Sequence, residues 1–96
     1  MNKKDILEKL TEFKRNNSEL YGIIELGIFG SVVNQTNTKK SDIDIFIKTL
    51  TPNPYIIIDI KDTLEKLFKS KVDIVRLREK MNPYLKQKIE NEGLYV

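Results

Sequence analysis

The chain has 96 residues, 40% of them hydrophobic and 32% charged, with a net charge of +3. That size and balance fit one small soluble domain, residues 1–96, with no room for a separate substrate-binding domain. The absence of Cys and His excludes a disulfide scaffold, a thiol nucleophile and a thiolate zinc site, and leaves any chemistry to carboxylates, hydroxyls, lysine or metal.

Asn2 is placed to cap a first helix, in which Ile6, Leu7, Leu10 and Phe13 form an apolar stripe at three- and four-residue spacing. The stripe fades at Asn16-Asn17-Ser18, where the helix is expected to fray. Tyr21-Gly22 leads into the apolar run Ile23 to Phe29, which predicts a strand ending at Gly30-Ser31. A glycine there lets the backbone approach a ligand, and a serine just after it can cap a short helix whose N–H groups bind phosphate oxygens. The loop Val32 to Ser41 then carries Asn34, Gln35, Asn37 and the pair Lys39-Lys40.

Asp42-Ile43-Asp44-Ile45-Phe46-Ile47 alternates with the period of a half-buried strand. Ile43, Ile45 and Ile47 share one face; Asp42 and Asp44 share the other. An isolated Asp at a strand start caps a turn more often than it binds metal, but Asp44 sits inside the strand on the face of Asp42. Two carboxylates so placed repel each other, and a divalent cation removes the penalty; all-oxygen ligation suits Mg²⁺ best. If the chain returns antiparallel after Ser31, Gly30-Ser31 and the two aspartates share one end of the sheet.

Asn53-Pro54 is a helix start, with Ile56/Ile57, Ile60, Leu64 and Leu67/Phe68 continuing at helical spacing. Val72 to Val75 is a short strand with Asp73 on the face opposite Val72 and Ile74. A strand–helix–strand unit of this length favours a right-handed crossover to a parallel neighbour, which puts Asp73 beside Asp42 and Asp44. Asn82-Pro83 repeats the capped helix start, Leu85 and Ile89 define its buried face, and Gly93 is placed to end it. The apolar end Leu94-Tyr95-Val96 either packs back or offers itself to a partner. The expected architecture is α/β, a small mixed sheet backed by helices.

Between Lys61 and Lys88 nine basic residues stand against four acids, a local excess of five positive charges. Without interleaved aromatics this reads as a solvated lysine-rich face, and direct nucleic-acid binding is not expected. No apolar run approaches the ~20 residues of a membrane span, and Met-Asn-Lys-Lys-Asp is no signal-peptide start; the cytoplasm is the expected compartment.

Gly30-Ser31, ten residues, then Asp42-Ile43-Asp44 resembles the Gly-Ser…Asp-x-Asp signature of the DNA polymerase β nucleotidyltransferase superfamily, and the chain's size resembles its minimal nucleotidyltransferase branch. Lys71-Val72-Asp73-Ile74-Val75 resembles the strand that carries the third acid, and Asn82-Pro83-Tyr84-Leu85…Ile89-Glu90 extends the likeness. The resemblance implies that Asp42 and Asp44 hold two Mg²⁺ ions on the triphosphate of ATP. Asp73 would join the metal on the acceptor side, and Gly30 and Ser31 would hold the outer phosphates. The implied reaction moves AMP to an acceptor. In minimal nucleotidyltransferases of this size, which resemble antitoxins, the acceptor is a tyrosine of a HEPN-domain RNase toxin. The family commonly follows Gly-Ser with an arginine and a glycine, whereas Val32-Val33-Asn34-Gln35 stands here. Lys39 or Lys40 is the candidate replacement charge, without arginine's bidentate fork. That departure favours the alternative of a non-catalytic antitoxin that occludes its partner. A third reading is a subunit whose substrate-binding domain lies on another chain.

Overall fold

The computed structural model of the chain describes residues 2–34 and 42–96. Helix α1 spans Lys3–Tyr21, and the Asn2 side chain accepts the Asp5 N–H at 2.9 Å to cap it. The helix does not fray at Asn16-Asn17-Ser18 as expected. Asn17 Nδ2 donates to the Phe13 carbonyl and the Ser18 hydroxyl to that of Lys14, so both polar side chains are satisfied within the helix. Tyr21 adds a last apolar contact by stacking on Phe13, with centroids 6.4 Å apart, and Gly22 ends the helix in the left-handed conformation.

Strands β1 (Ile23–Phe29) and β2 (Ile43–Thr49) pair antiparallel, with Phe29 opposite Asp44 and Ile28 opposite Ile45. Helix α2 (Pro54–Phe68) starts under the Asn53 side chain, which accepts from the N–H groups of Tyr55 and Ile56. Lys69, in the left-handed conformation, turns the chain into β3 (Val72–Arg76), whose first N–H is held by Glu65 Oε2 at 2.9 Å. Strand β3 pairs parallel with β2 and sets Asp73 opposite Asp44, as the crossover argument predicts.

Helix α3 (Pro83–Glu92) is capped by Asn82, and Leu94–Tyr95 forms a short strand β4 antiparallel to β1. The apolar C-terminal residues thus pack back, with the Val96 N–H bonded to the Leu26 carbonyl at 2.9 Å and Lys14 Nζ on the Val96 carbonyl at 2.8 Å. The sheet order is β3-β2-β1-β4, a mixed sheet with helices on both faces. On one face Ile6, Leu10 and Phe13 of α1 and Ile60, Leu64 and Phe68 of α2 bury Leu26, Ile28, Ile43, Ile45 and Ile47.

The other face, which carries Asp44, also carries Phe46. That ring is fully buried against Phe29 and Ile89 of α3. Gly27, opposite Phe46 in the ladder, leaves the space its ring fills; a Cβ there would collide with the ring and with the Leu94 carbonyl. Gly93 ends α3 in extended backbone, not the left-handed form, and is small because a Cβ would meet the Ile89 carbonyl and the Phe46 ring. No helix among the described residues is long and apolar enough to cross a membrane.

Candidate functional site

Three strands bring their polar residues to one end of the sheet. Asp44 is the second residue of β2, Asp73 the second of β3, and Phe29 the last of β1, and these three lie side by side in the ladders. Gly30 follows Phe29 directly, and Asp42 precedes β2 on the Asp44 face by the alternation of the strand. Gly30, Ser31, Asp42, Asp44 and Asp73 are therefore neighbours, although the last is separated from the others in sequence by the whole of α2.

Gly30 adopts a φ of 75°, and a side chain there would strike Asp44 Oδ2. Both the positive φ and the close approach require glycine. The next residue, Ser31, donates its backbone N–H to the Asp44 carboxylate. The chain then turns, with the Asn34 N–H on the Gly30 carbonyl at 3.1 Å. A short helix was expected after Ser31; its described part is this single turn, and residues 35–41, with the candidate cations Lys39 and Lys40, lie outside the described residues.

The Asp44 carboxyl is half-buried while Asp42 and Asp73 are exposed. Burial pushes the Asp44 pKa above its ordinary 3.8, and the charges of Asp73 and Asp42 push it the same way; the Ser31 N–H and Lys88 oppose them. Lys88 lies on α3, far along the chain, and sequence spacing does not connect it to the acids. The signal that does is Phe46. An apolar ring two residues after Asp44 on the same face needs a cover, and a helix burying Leu85 and Ile89 is the available one. Lys88 adjoins Ile89 in that helix and so comes to the acids with it.

The donor set is chemically that of a hard divalent cation: carboxylate oxygens alone, with like charges close enough to raise the pKa of Asp44. The described residues contain no group of three acidic side chains already arranged to hold an ion by themselves. Mg²⁺ does not need one, because it is commonly held by one or two carboxylates, water and substrate phosphates. The residues fit the ion on those terms.

The raised pKa has a measurable consequence. Folding favours the protonated Asp44, so its contribution to metal-free stability is complete below the ordinary 3.8 and is lost as pH rises through the folded value. Asp44→Asn removes this loss and keeps an oxygen that can accept the Ser31 N–H. In the absence of metal the variant is expected to melt with the wild type at acid pH and above it at neutral pH. Thermal melts in EDTA across that range check this; a variant that melts many degrees lower at neutral pH would make Asp44 a structural partner instead.

The basic residues between Lys61 and Lys88 are distributed over α2, β3, α3 and the connections between them. Arg76 and Arg78 line a cleft with Ile57 and Ile58, and the charge of Lys88 acts to lower the Asp44 pKa. A second cleft, of about 390 Å³, runs between the turn after Gly30 and α3, lined by Asn34, Tyr84, Gln87, Lys88, Asn91 and Glu92.

The chain is similar to known proteins in sequence and in fold. Residues 8–96 match the model of the family described as polymerase beta, nucleotidyltransferase. A Methanocaldococcus jannaschii protein provisionally named protein adenylyltransferase MJ0128 is 38% identical over 94 residues, covering 97% of this chain and 93% of that one. Protein adenylyltransferase MntA of Thermococcus cleftensis is 30% identical over 88 residues, covering 91% of this chain and 88% of its own. A crystal structure of a toxin–antitoxin with AMP-PNP contains a chain that superposes with a TM-score of 0.77 at 25% identity, covering 99% of this chain and 72% of that one. The chain belongs to the polymerase beta nucleotidyltransferase family, and its domain is a nucleotidyltransferase.

Proposed function

We propose that this member of the family transfers AMP from ATP to a tyrosine hydroxyl of a partner HEPN-domain RNase toxin and so serves as its antitoxin. The observation that carries the reading is the setting of Asp44, with Gly30 and Ser31 on one side, Asp73 on the other and Asp42 two residues before it. The relatives' adenylyltransferase names support AMP as the group moved, and the toxin–antitoxin with AMP-PNP supports ATP and a toxin partner.

Two Mg²⁺ ions, when bound, neutralise the phosphates and polarise the reacting phosphoryl group. Asp42 and Asp44 are the residues that would hold them, with Asp73 on the acceptor side. Asp44 is fixed for this by the Ser31 N–H, which orients one carboxylate. Gly30, bare of a side chain, leaves the backbone open to the outer phosphates, and the Ser31 hydroxyl is a donor for them. The acceptor oxygen forms its bond to the α-phosphorus as the bond from that phosphorus to the bridging oxygen breaks. Pyrophosphate leaves with the electron pair, and Asp73 helps to draw off the hydroxyl proton.

The purified chain is expected to bind ATP with Mg²⁺ or Mn²⁺ present and not in EDTA, because a triphosphate otherwise adds negative charge to a carboxylate group. Calorimetry under both conditions checks this. Equal binding with and without chelator would remove the metal from the site.

A further inference from the structure

A nucleoside triphosphate brings several negative charges to an end of the sheet that already has three carboxylates. The turn that follows Gly30 offers no cation through Asn34, for it reads Ser31-Val32-Val33-Asn34. Across from it stands α3. Ile89 is fully buried against Phe29 and Phe46, which fixes the helix on the face of the sheet that bears Asp42 and Asp44. Lys88, the residue before it, is exposed and lines the cleft between α3 and the turn, sharing it with Asn34 of the turn and with Tyr84 one helical turn earlier. The carboxylates do not themselves line that cleft. Gly30, which opens that turn, lies directly against Asp44 Oδ2, so the cleft borders the end of the sheet that carries the carboxylates.

We propose that Lys88 is the cation that receives the phosphate chain of the nucleotide, placed on α3 and not on the turn. This rests on the nucleotidyl-transfer reading above. The cleft volume of about 390 Å³ lies within the ~300–1,000 Å³ of small-molecule sites. An ammonium on a flexible stem follows the phosphates as a point charge and needs no fixed fork. An exposed lysine near a carboxylate contributes little to folding, so Lys88 can be replaced without loss of the fold.

The test is calorimetry of the full chain with Mg·ATP and with AMP, for the wild type, Lys88→Met and Lys88→Arg. Lys88→Met is expected to weaken Mg·ATP binding about tenfold or more, the scale of one charge-assisted contact, and to change AMP binding far less. Lys88→Arg, which keeps the charge, restores most of the Mg·ATP affinity, and all three proteins melt alike without ligand. Wild-type and Lys88→Met proteins that bind Mg·ATP equally would overturn the inference and leave the transfer reading in place. Equal losses for Mg·ATP and AMP, together with a lowered melting temperature, would make Lys88 a structural residue and overturn it as well. A wild-type chain that fails to bind Mg·ATP would overturn both.

Discussion

Asp42→Ala combined with Asp44→Ala is expected to abolish AMP transfer while the chain stays folded and continues to hold its partner. Neither carboxylate is part of the apolar core: Asp42 is exposed, Asp44 is half-buried, and losing both removes a carboxyl whose ionised form is disfavoured by burial and by the neighbouring acids. The transfer step, by contrast, depends on charge neutralisation and in-line positioning at the α-phosphate, which two inner ligands supply together. The expected rate loss is about a thousandfold or more, the scale on which losing a charge-stabilising group slows phosphoryl transfer.

A partner would have other surface to dock on. Leu20 and Leu50 are exposed at the end of the sheet opposite the acids, and Tyr55 and Ile58 are exposed on α2. The double variant should therefore co-purify with the toxin and fail to protect cells from it. Intact-mass measurement of the partner should show the addition of one or more AMP groups with wild-type protein, ATP and Mg²⁺ together, and none with the variant. Full protection by the variant, with no added mass in either case, would refute the enzyme and leave the occluding antitoxin standing.

Much of this arrangement was legible in the sequence because it follows from local chemistry. Asn2, Asn53-Pro54 and Asn82-Pro83 each cap the helix expected of them, since a short amide side chain before a helical run has few better uses. The alternation of Asp42 to Ile47 fixed which side of β2 would be buried under α1 and α2, and the strand–helix–strand length set Asp73 opposite Asp44. The end of α1 was misjudged because Asn17 and Ser18 are poor helix residues by propensity, and their bonds to carbonyls four residues back are invisible until the helix is built. Lys88 was illegible for a different reason. Nothing local ties a lysine on the last helix to an aspartate on the second strand; the tie is tertiary and runs through Ile89 and Phe46. The Ser31 N–H likewise reaches Asp44 only once β1 and β2 are in register.

Phe46→Ala should be the most damaging single change to the fold. The ring is wholly buried and is the centre of the core on the acid-bearing face, 4.8 Å from the Tyr95 ring and 6.4 Å from that of Phe29. It also fills the space over Gly27 and Gly93, and glycine has no side chain to move into the hole it leaves. Removing a buried phenylalanine from a site that cannot collapse costs about 3–5 kcal/mol. A domain of this size has about 5–15 kcal/mol in all, so the melting temperature should fall on the order of 12 °C or more. The loss should not be uniform. The face packed under α1 and α2 keeps its own core, and with it the contacts that Leu94 and Val96 make there, whereas α3 is pinned by Ile89 on Phe46. Hydrogen exchange should therefore show the amides of α3 losing protection before those of β1 and β2. Phe46→Leu, which keeps most of the volume, should recover much of the loss. A drop of only a few degrees in Phe46→Ala, with α3 as protected as before, would mean that the helix is held by something other than this ring.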